Sequence, residues 1–284
     1  MPPFEGKGVN MGCSHDCSSC SKSDCKDRKD FLEVPKPSTK IKKIIGVVSG
    51  KGGVGKSLVT SLLAVASNKK GLKTAIIDAD ILGPSIPKAF GLNENDRAVG
   101  SDDGLFPAIT KNGVKIMSIN LLLEQESMPV VWRGPVVSGV VKQFYTDVLW
   151  KENDIMFIDM PPGTGDVPLT IYQSIPLDGI VVVATPQDLV KMIVSKAVNM
   201  ANMMAVPIYG IVENMSYIEC PTCKEKIYLF GKGKVEEVAK EYNIDYLASL
   251  PLNSEITKLV DEGKIESADT SLLDSVISKI MEEN

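Results

Sequence analysis

An α/β fold, with a mostly parallel twisted sheet covered on both faces by helices, is what this chain predicts from residue 41 onward. Three observations carry that expectation. Short apolar runs rich in β-branched residues alternate with helix-compatible segments, and such alternation builds a parallel sheet between two helical layers. A glycine-rich stretch, GKGGVGKS over 50–57, follows the first of these runs and opens a helical segment. About a hundred residues later, a second run ends in Asp159, and ligands in such sheets sit at the carboxyl ends of the strands.

Residues 1–40 stand apart. They are rich in Gly, Ser, Lys, Asp and Cys, lack apolar periodicity, and finish in the Pro-marked stretch Val34-Pro35-Lys36-Pro37-Ser38, which predicts a small metal-ordered appendage and a linker. Residues 41–284 read as one domain. Its first strand is expected at 43–49, on Ile44, Ile45, Val47 and Val48, and its first helix at 56–69, on the uninterrupted LVTSLLAVA of 58–66. Strands follow at 74–79, on Thr74 to Ile77, and at 114–119. A helix is expected at 135–149, where Pro135 suits a first turn and Val136, Val137, Val140, Val141 and Phe144 gather on one side. The preceding Trp132-Arg133 reads equally as a helix start packed in the core or as part of a site. Strands at 154–160, 179–184, 207–213 and 246–250 alternate with helices at 187–204, 233–242 and 269–282. Met192, Met200, Met203 and Met204 fall on the 187–204 helix and read as core filler.

Composition narrows the class. The chain has 284 residues, 44% of them hydrophobic, enough for one large α/β core with a short appendage. A formal charge of -5 leaves no basic footprint for nucleic acid. No apolar run approaches the roughly 20 residues of a spanning helix, and the N-terminus lacks a signal-peptide core. A cytoplasmic protein bound to neither membrane nor nucleic acid is expected.

GKGGVGKS fits the phosphate-loop pattern G-x-x-x-x-G-K-[ST], in which small residues let successive N–H groups face one anion, with a helix N-terminus behind them. Gly50, Lys51, Gly52, Gly53, Val54, Gly55, Lys56 and Ser57 are thus the candidate nucleotide-binding residues, with Lys56 for the β and γ phosphates and Ser57 for Mg²⁺. The strand at 74–79 delivers Asp78 and Asp80, carboxylates placed to hold the metal shell or to orient the attacking water. Either could instead cap the next helix. Asp159, after four apolar residues, reads as a Walker B carboxylate for Mg²⁺. The stiff Pro161-Pro162 followed by Gly163-Thr164-Gly165 suits a loop that senses the γ phosphate.

Taken together, GKGGVGKS, DADILGPSIP from Asp78, WRGP from Trp132, DMPPGTGD from Asp159, ATPQD from Ala184 and CPTC from Cys220 occur in an order that resembles the Mrp/ApbC-type iron-sulfur cluster carrier ATPases, of the MinD/ParA-like deviant-Walker group. The resemblance runs from about Ile41 to the end. It implies a P-loop domain that forms homodimers, with Lys51 contacting phosphate across the dimer interface, as in that group and in nitrogenase iron protein. It also implies that Asn214 hydrogen-bonds adenine, against the plain reading of a turn asparagine. Many bacterial members carry a separate domain before the ATPase, which this chain lacks; the eukaryotic cytosolic scaffold has an N-terminal four-cysteine motif with different gaps. The layout resembles a hybrid of the two.

All six cysteines fall into two tight groups, which in a reducing compartment favours metal or redox chemistry over disulfides. Cys220 and Cys223 lie between Tyr217-Ile218 and Ile227-Tyr228, so they read as a knuckle in a hairpin. Two thiolates are half of the usual four ligands of a cluster or a structural zinc, and a two-fold dimer supplies the other pair. A bridging [4Fe-4S] cluster is what the resemblance implies, with bridging zinc or a redox dithiol as alternatives. Cys13, Cys17, Cys20 and Cys25 are close enough in sequence to surround a [4Fe-4S] cluster within one chain, with zinc as the alternative. His15 among them reads as an exposed spectator.

The function expected is an ATPase with Lys51, Lys56 and Asp80 in catalytic roles, binding ATP, Mg²⁺ and a [4Fe-4S] cluster, and passing the cluster to recipient apoproteins. Two rivals are an ATP-driven redox protein and a metal-free positioning ATPase. The latter would need a basic or membrane-targeting tail, and the amphipathic 271–281 segment is short and not basic.

Overall fold

The computed structural model of the protein describes residues 31–81, 83, 85–93, 95–123, 134–187 and 190–282. Cys13, His15, Cys17, Cys20, Cys25, Trp132 and Arg133 lie outside them. Along the chain run β1 (Lys40–Val48), α1 (Lys56–Lys69), β2 (Thr74–Asp78), α2 (Ile86–Ala89), β3 (Val99–Ser101), β4 (Gly104–Phe106), β5 (Ala108–Ile109), β6 (Lys115–Met117), α3 (Gly134–Thr146), β7 (Glu152–Asp159) and α4 (Asp166–Ser174). They are followed by β8 (Gly179–Ala184), α5 (Val190–Met203), β9 (Ile208–Glu213), β10 (Ile218–Glu219), β11 (Lys226–Ile227), α6 (Lys234–Glu241), β12 (Tyr246–Ser249), α7 (Ser254–Asp261) and α8 (Asp274–Glu282).

Eight strands form one sheet in the order β12-β9-β8-β1-β7-β2-β6-β5. Every pairing in it is parallel except that of β5 with β6. β2 and β8 are buried along their whole length, the continuous burial of a strand covered on both faces. In β1 the period of two divides the side chains between two cores. Ile45 and Val47 join Leu62 and Leu63 of α1 and Ile277 of α8 on one face. Ile44 and Val48 join Phe144 of α3, Tyr172 of α4 and Val194 of α5 on the other. The expected α/β fold with helices on both faces is what forms.

Boundaries differ from expectation where side chains outcompete helix propensity. α3 ends at Thr146, short of 149, because the following residues turn into the core: Trp150 is fully buried and its Nε1 donates to the Phe144 carbonyl at 2.9 Å. The last helix begins at Asp274, not near 269, because Asp269 Oδ1 accepts from the Ser271 N–H at 2.9 Å and holds a single 3-10 turn over Ser271–Leu273. α4 follows directly on Gly165, with Pro168 in its first turn, where the missing N–H costs nothing. α7 is capped by Asn253, whose side chain accepts from Glu255 N. Neither α4 nor α7 stands out in the sequence, being short.

The ends of the sheet are unequal. β1, β2, β7, β8 and β9 all deliver their carboxyl ends to one edge, which receives the phosphate loop, Asp78, Asp159 and Asn214. At the opposite edge the 31–39 stretch docks, Glu33 N donating to Ser174 O at 2.8 Å and Glu33 pairing with Lys142 at 3.1 Å. Among the described residues no helix is long and apolar enough to cross a membrane.

Candidate nucleotide and thiol sites

The stretch 50–55 bridges β1 and α1 as an open curl. Gly53 and Gly55 adopt φ of 78° and 77°, a left-handed conformation that side chains resist. A Cβ at Gly50 would stand 2.3 Å from the Ile193 carbonyl oxygen of α5, so only glycine fits there. No backbone N–H from Gly50 to Ser57 donates to an acceptor among the described residues. α1 begins at Lys56 without a side-chain cap and without an acidic residue in its first turn. A curl of unpaired donors at a bare helix N-terminus is an anion cradle.

Below the curl is a buried ionic cluster. The parallel register of β2 with β7 sets Asp78 opposite Asp159, and both are fully buried. Lys56 Nζ lies 2.5 Å from Asp159 Oδ1 and 3.8 Å from Asp80 Oδ2. Ser57 Oγ is 2.5 Å from Asp159 Oδ2, and Thr60 Oγ1 is 2.8 Å from Oδ1. Asp78 accepts from Ser118 Oγ at 3.0 Å and, at 3.3 Å, from the Asp80 N–H. Burial first, then the neighbouring Asp159, pushes the Asp78 carboxyl up to about 8; burial also raises Asp80, against the pull of Lys56. Three carboxyl groups therefore face one ammonium, and the site has room for further positive charge. Ser57 and Asp159 present the hydroxyl-carboxylate pair that suits Mg²⁺, which takes only one or two protein carboxylates and fills its shell with water and phosphate.

Three contacts were not legible beforehand. Lys51 Nζ donates to Gln187 Oε1, in the connection from β8 to α5. Asn214, 2% exposed, donates through Nδ2 to the Val54 carbonyl at 2.9 Å. The 160–166 loop is stitched to the base of the curl by Gly163 N donating to Ser49 O at 2.9 Å. Thr60 and Ser118 also escaped notice. A threonine one turn into a helix and a serine just after a strand carry no pattern until the sheet brings them together.

The second cysteine pair lies on the hairpin of β10 and β11, as its flanking residues predict. Cys220 is half-buried and Cys223 exposed, and both are free thiols. Cys220 N donates to Glu225 O and Lys224 N to Cys220 O, each at 2.9 Å, closing the knuckle. The N–H groups of Cys223 and Thr222 aim at the Cys220 sulfur and hold its pKa below the usual thiol range. Tyr217 and Tyr228 pack with ring centroids 5.9 Å apart at the hairpin's base, and Lys226 Nζ lies 4.2 Å from the Tyr217 centroid. Ile227, Leu229 and Phe230 are exposed beside it. Among the described residues no three His, Cys, Asp or Glu side chains are grouped to hold a metal ion, so Cys220 and Cys223 form an incomplete ligand set within one chain.

Comparison with known proteins gives concordant findings. The profile of the family described as ParA, NUBPL iron-transfer P-loop NTPase, matches residues 40–283. An iron-sulfur cluster carrier protein from Methanocaldococcus jannaschii is 46% identical over 258 residues, covering 88% of this chain and 89% of that protein. Its counterpart from Clostridium perfringens is 45% identical over 265 residues, covering 88% and 93%. Among solved structures, a nucleotide-binding protein from Archaeoglobus fulgidus in complex with ADP superposes with a TM-score of 0.73 at 45% identity, covering 86% of this chain and 93% of that one. The cell division ATPase MinD of Pyrococcus furiosus shares the fold at 19% identity, with a TM-score of 0.58 and coverage of 85% and 97%.

Proposed function

Since the chain belongs to the ParA/NUBPL iron-transfer P-loop NTPase family, we propose that it is an ATP-hydrolysing iron-sulfur cluster carrier that holds a [4Fe-4S] cluster as cargo and hands it to recipient apoproteins. The observation that carries this reading is the thiol pair: Cys220 and Cys223 are accessible, Cys220 favours the thiolate, and the hairpin bearing them grows from the same sheet edge as the phosphate curl. One chain offers two of the four thiolates that a cluster takes. A homodimer about a two-fold axis supplies the rest. Cys13, Cys17, Cys20 and Cys25 belong to the same reading as a second cargo site within one chain, and the compartment that fits free thiols is the cytoplasm.

At the nucleotide, the N–H groups of 50–55 hold the phosphates of ATP and Lys56 exchanges Asp159 for the β and γ oxygens. Mg²⁺, held by Ser57 and Asp159, supplies charge neutralisation when bound. Asp80, partly exposed beside Lys56, orients the attacking water. Lys51 leaves Gln187 and reaches the phosphates on the partner subunit, so ATP draws two protomers, and with them two hairpins, together. Loss of the γ phosphate relaxes the 160–166 loop through its bond to Ser49.

Anaerobic reconstitution with iron and sulfide tests the reading in the Cys17→Ala background, where the hairpin site is isolated. Mössbauer spectra should report one [4Fe-4S] cluster per dimer, lost in Cys220→Ala, and incubation with an apo [4Fe-4S] enzyme should restore that enzyme's activity. Stoichiometric zinc with no cluster would overturn the carrier reading. A cluster that stays on the protein while electrons leave it would favour the redox rival.

A further inference from the structure

We infer that Thr60 is a positioning residue for the nucleotide site: its hydroxyl keeps the Asp159 carboxylate aimed at Ser57 once Lys56 has turned to phosphate. This rests on the nucleotide reading above but not on the cluster. Asp159 is fully buried at the end of β7, and its two oxygens divide their partners. Oδ2 accepts from Ser57 Oγ at 2.5 Å; Oδ1 accepts from Lys56 Nζ at 2.5 Å and lies 2.8 Å from Thr60 Oγ1. When Lys56 leaves for the β and γ oxygens, Ser57 can still donate to Oδ2 while offering Mg²⁺ a lone pair. Oδ1 loses its cation. Among the described residues, Thr60 is the side chain left to donate to it.

Thr60 is suited to that exchange. It sits one turn past Lys56 in α1 and is fully buried. β-Branching restricts its χ1, so the hydroxyl has few directions open to it. Two acceptors lie within reach, the Lys56 carbonyl at 3.0 Å and Asp159 Oδ1 at 2.8 Å. A hydroxyl carries one proton and satisfies one of them at a time. Beside the Lys56 ammonium either acceptor serves; without it the ionised oxygen is the stronger. Lacking that hydroxyl, the buried carboxylate has no donor on Oδ1 and is free to turn away from Ser57, which misplaces the oxygen meant for the Mg²⁺ shell.

Mg²⁺ titrations followed with a fluorescent ADP test this role in the wild type, in Thr60→Val, which keeps the shape and drops the hydroxyl, and in Thr60→Ser, which keeps the hydroxyl. With Mg²⁺ chelated, Thr60→Val should bind the fluorescent ADP as the wild type does, because Lys56 and the curl are intact. Its half-saturating Mg²⁺ should rise about tenfold, the loss of one hydrogen bond to a charged group, and Thr60→Ser should bring it back to within about threefold of the wild type. Thermal unfolding shows that the variants are folded; Thr60→Ala takes the place of Thr60→Val in the same comparison if the latter is not. An unchanged Mg²⁺ requirement would overturn the proposal. So would equal weakening with and without Mg²⁺, the mark of a general packing defect in α1, or failure of Thr60→Ser to restore the requirement. A wild type that binds no ADP would overturn the nucleotide reading itself, whatever the variants do.

Discussion

The residue whose environment departs furthest from its ordinary chemistry is Asp78. It is fully buried beside Asp159, and its carboxyl is pushed from 3.8 up to about 8. The folded protein keeps a proton that the unfolded chain gives up above 3.8, so the contribution of this group to stability is whole below that value and is lost as pH rises through about 8. Asp78→Asn removes the titration and leaves the Ser118 hydrogen bond an acceptor. Urea unfolding from about pH 5 to about pH 8 should show the variant gaining on the wild type as pH rises; parallel curves would contradict the assignment. Asp159 is sustained differently, by Lys56, Ser57 and Thr60, all within 2.8 Å. Lys56→Met therefore leaves a carboxylate with two hydroxyls and no cation, and should cost both nucleotide binding and about 3 kcal/mol or more of stability, the usual penalty for stranding a buried charge.

At the scale of elements, the cysteine hairpin behaves as a unit stiffened from below. Its strands hold only two residue pairs, Ile218 with Ile227 and Glu219 with Lys226, too few to be stable alone. The Tyr217 and Tyr228 rings, the Lys226 contact and the bond from Leu252 N to Tyr217 O at 2.8 Å supply the rest. Because the knuckle N–H groups stabilise the Cys220 thiolate, alkylation of Cys220 should have a pH midpoint below the ordinary thiol range. Peptide-resolved mass spectrometry of iodoacetamide-treated protein reads this, and a Cys220 midpoint unchanged from that of the unfolded chain would contradict the knuckle geometry. The hairpin and the phosphate curl were both placed correctly by their flanking residues, since a knuckle between two β-rich dipeptides and a glycine run between strand and helix are local patterns. α4 and α7 were not, because nine and eight residues with little periodicity are decided by what they pack against.

For the whole molecule the proposed homodimer turns on how two copies would meet. Lys51 is held by Gln187 within the chain, so reaching across an interface requires that contact to break, and ATP must supply the difference in free energy. Lys51→Ala should bind ADP close to normally but fail to dimerise on addition of ATP in sedimentation velocity. Gln187→Ala should dimerise at lower ATP than the wild type; dimerisation of Lys51→Ala like that of the wild type would show that the lysine acts within its own chain. A hairpin-bound cluster and ATP must also strengthen each other's binding by the same factor if both favour the closed dimer. The 31–39 stretch meets the body at the amino edge of the sheet, through Glu33 and Ser174, opposite the edge that carries the Cys220 hairpin.

By itself the sequence determined the fold class, the strand-helix alternation, the phosphate curl, the acidic strand ends and the thiol knuckle. All of these are written in short-range patterns: hydrophobic periodicity, glycine where φ is positive, and a carboxylate placed just past an apolar run. Only the tertiary structure decided which partners those groups take. Parallel pairing of β2 with β7 buried Asp78 against Asp159, and burial first, then that neighbour, raised its pKa. The neighbouring carboxyl ends of β8 and β9 brought Gln187 to Lys51 and Asn214 to the back of the Val54-Gly55 peptide. Such contacts join residues more than a hundred positions apart. A parallel sheet brings them together by crossover connections, and no local pattern in the chain records which strand ends become neighbours.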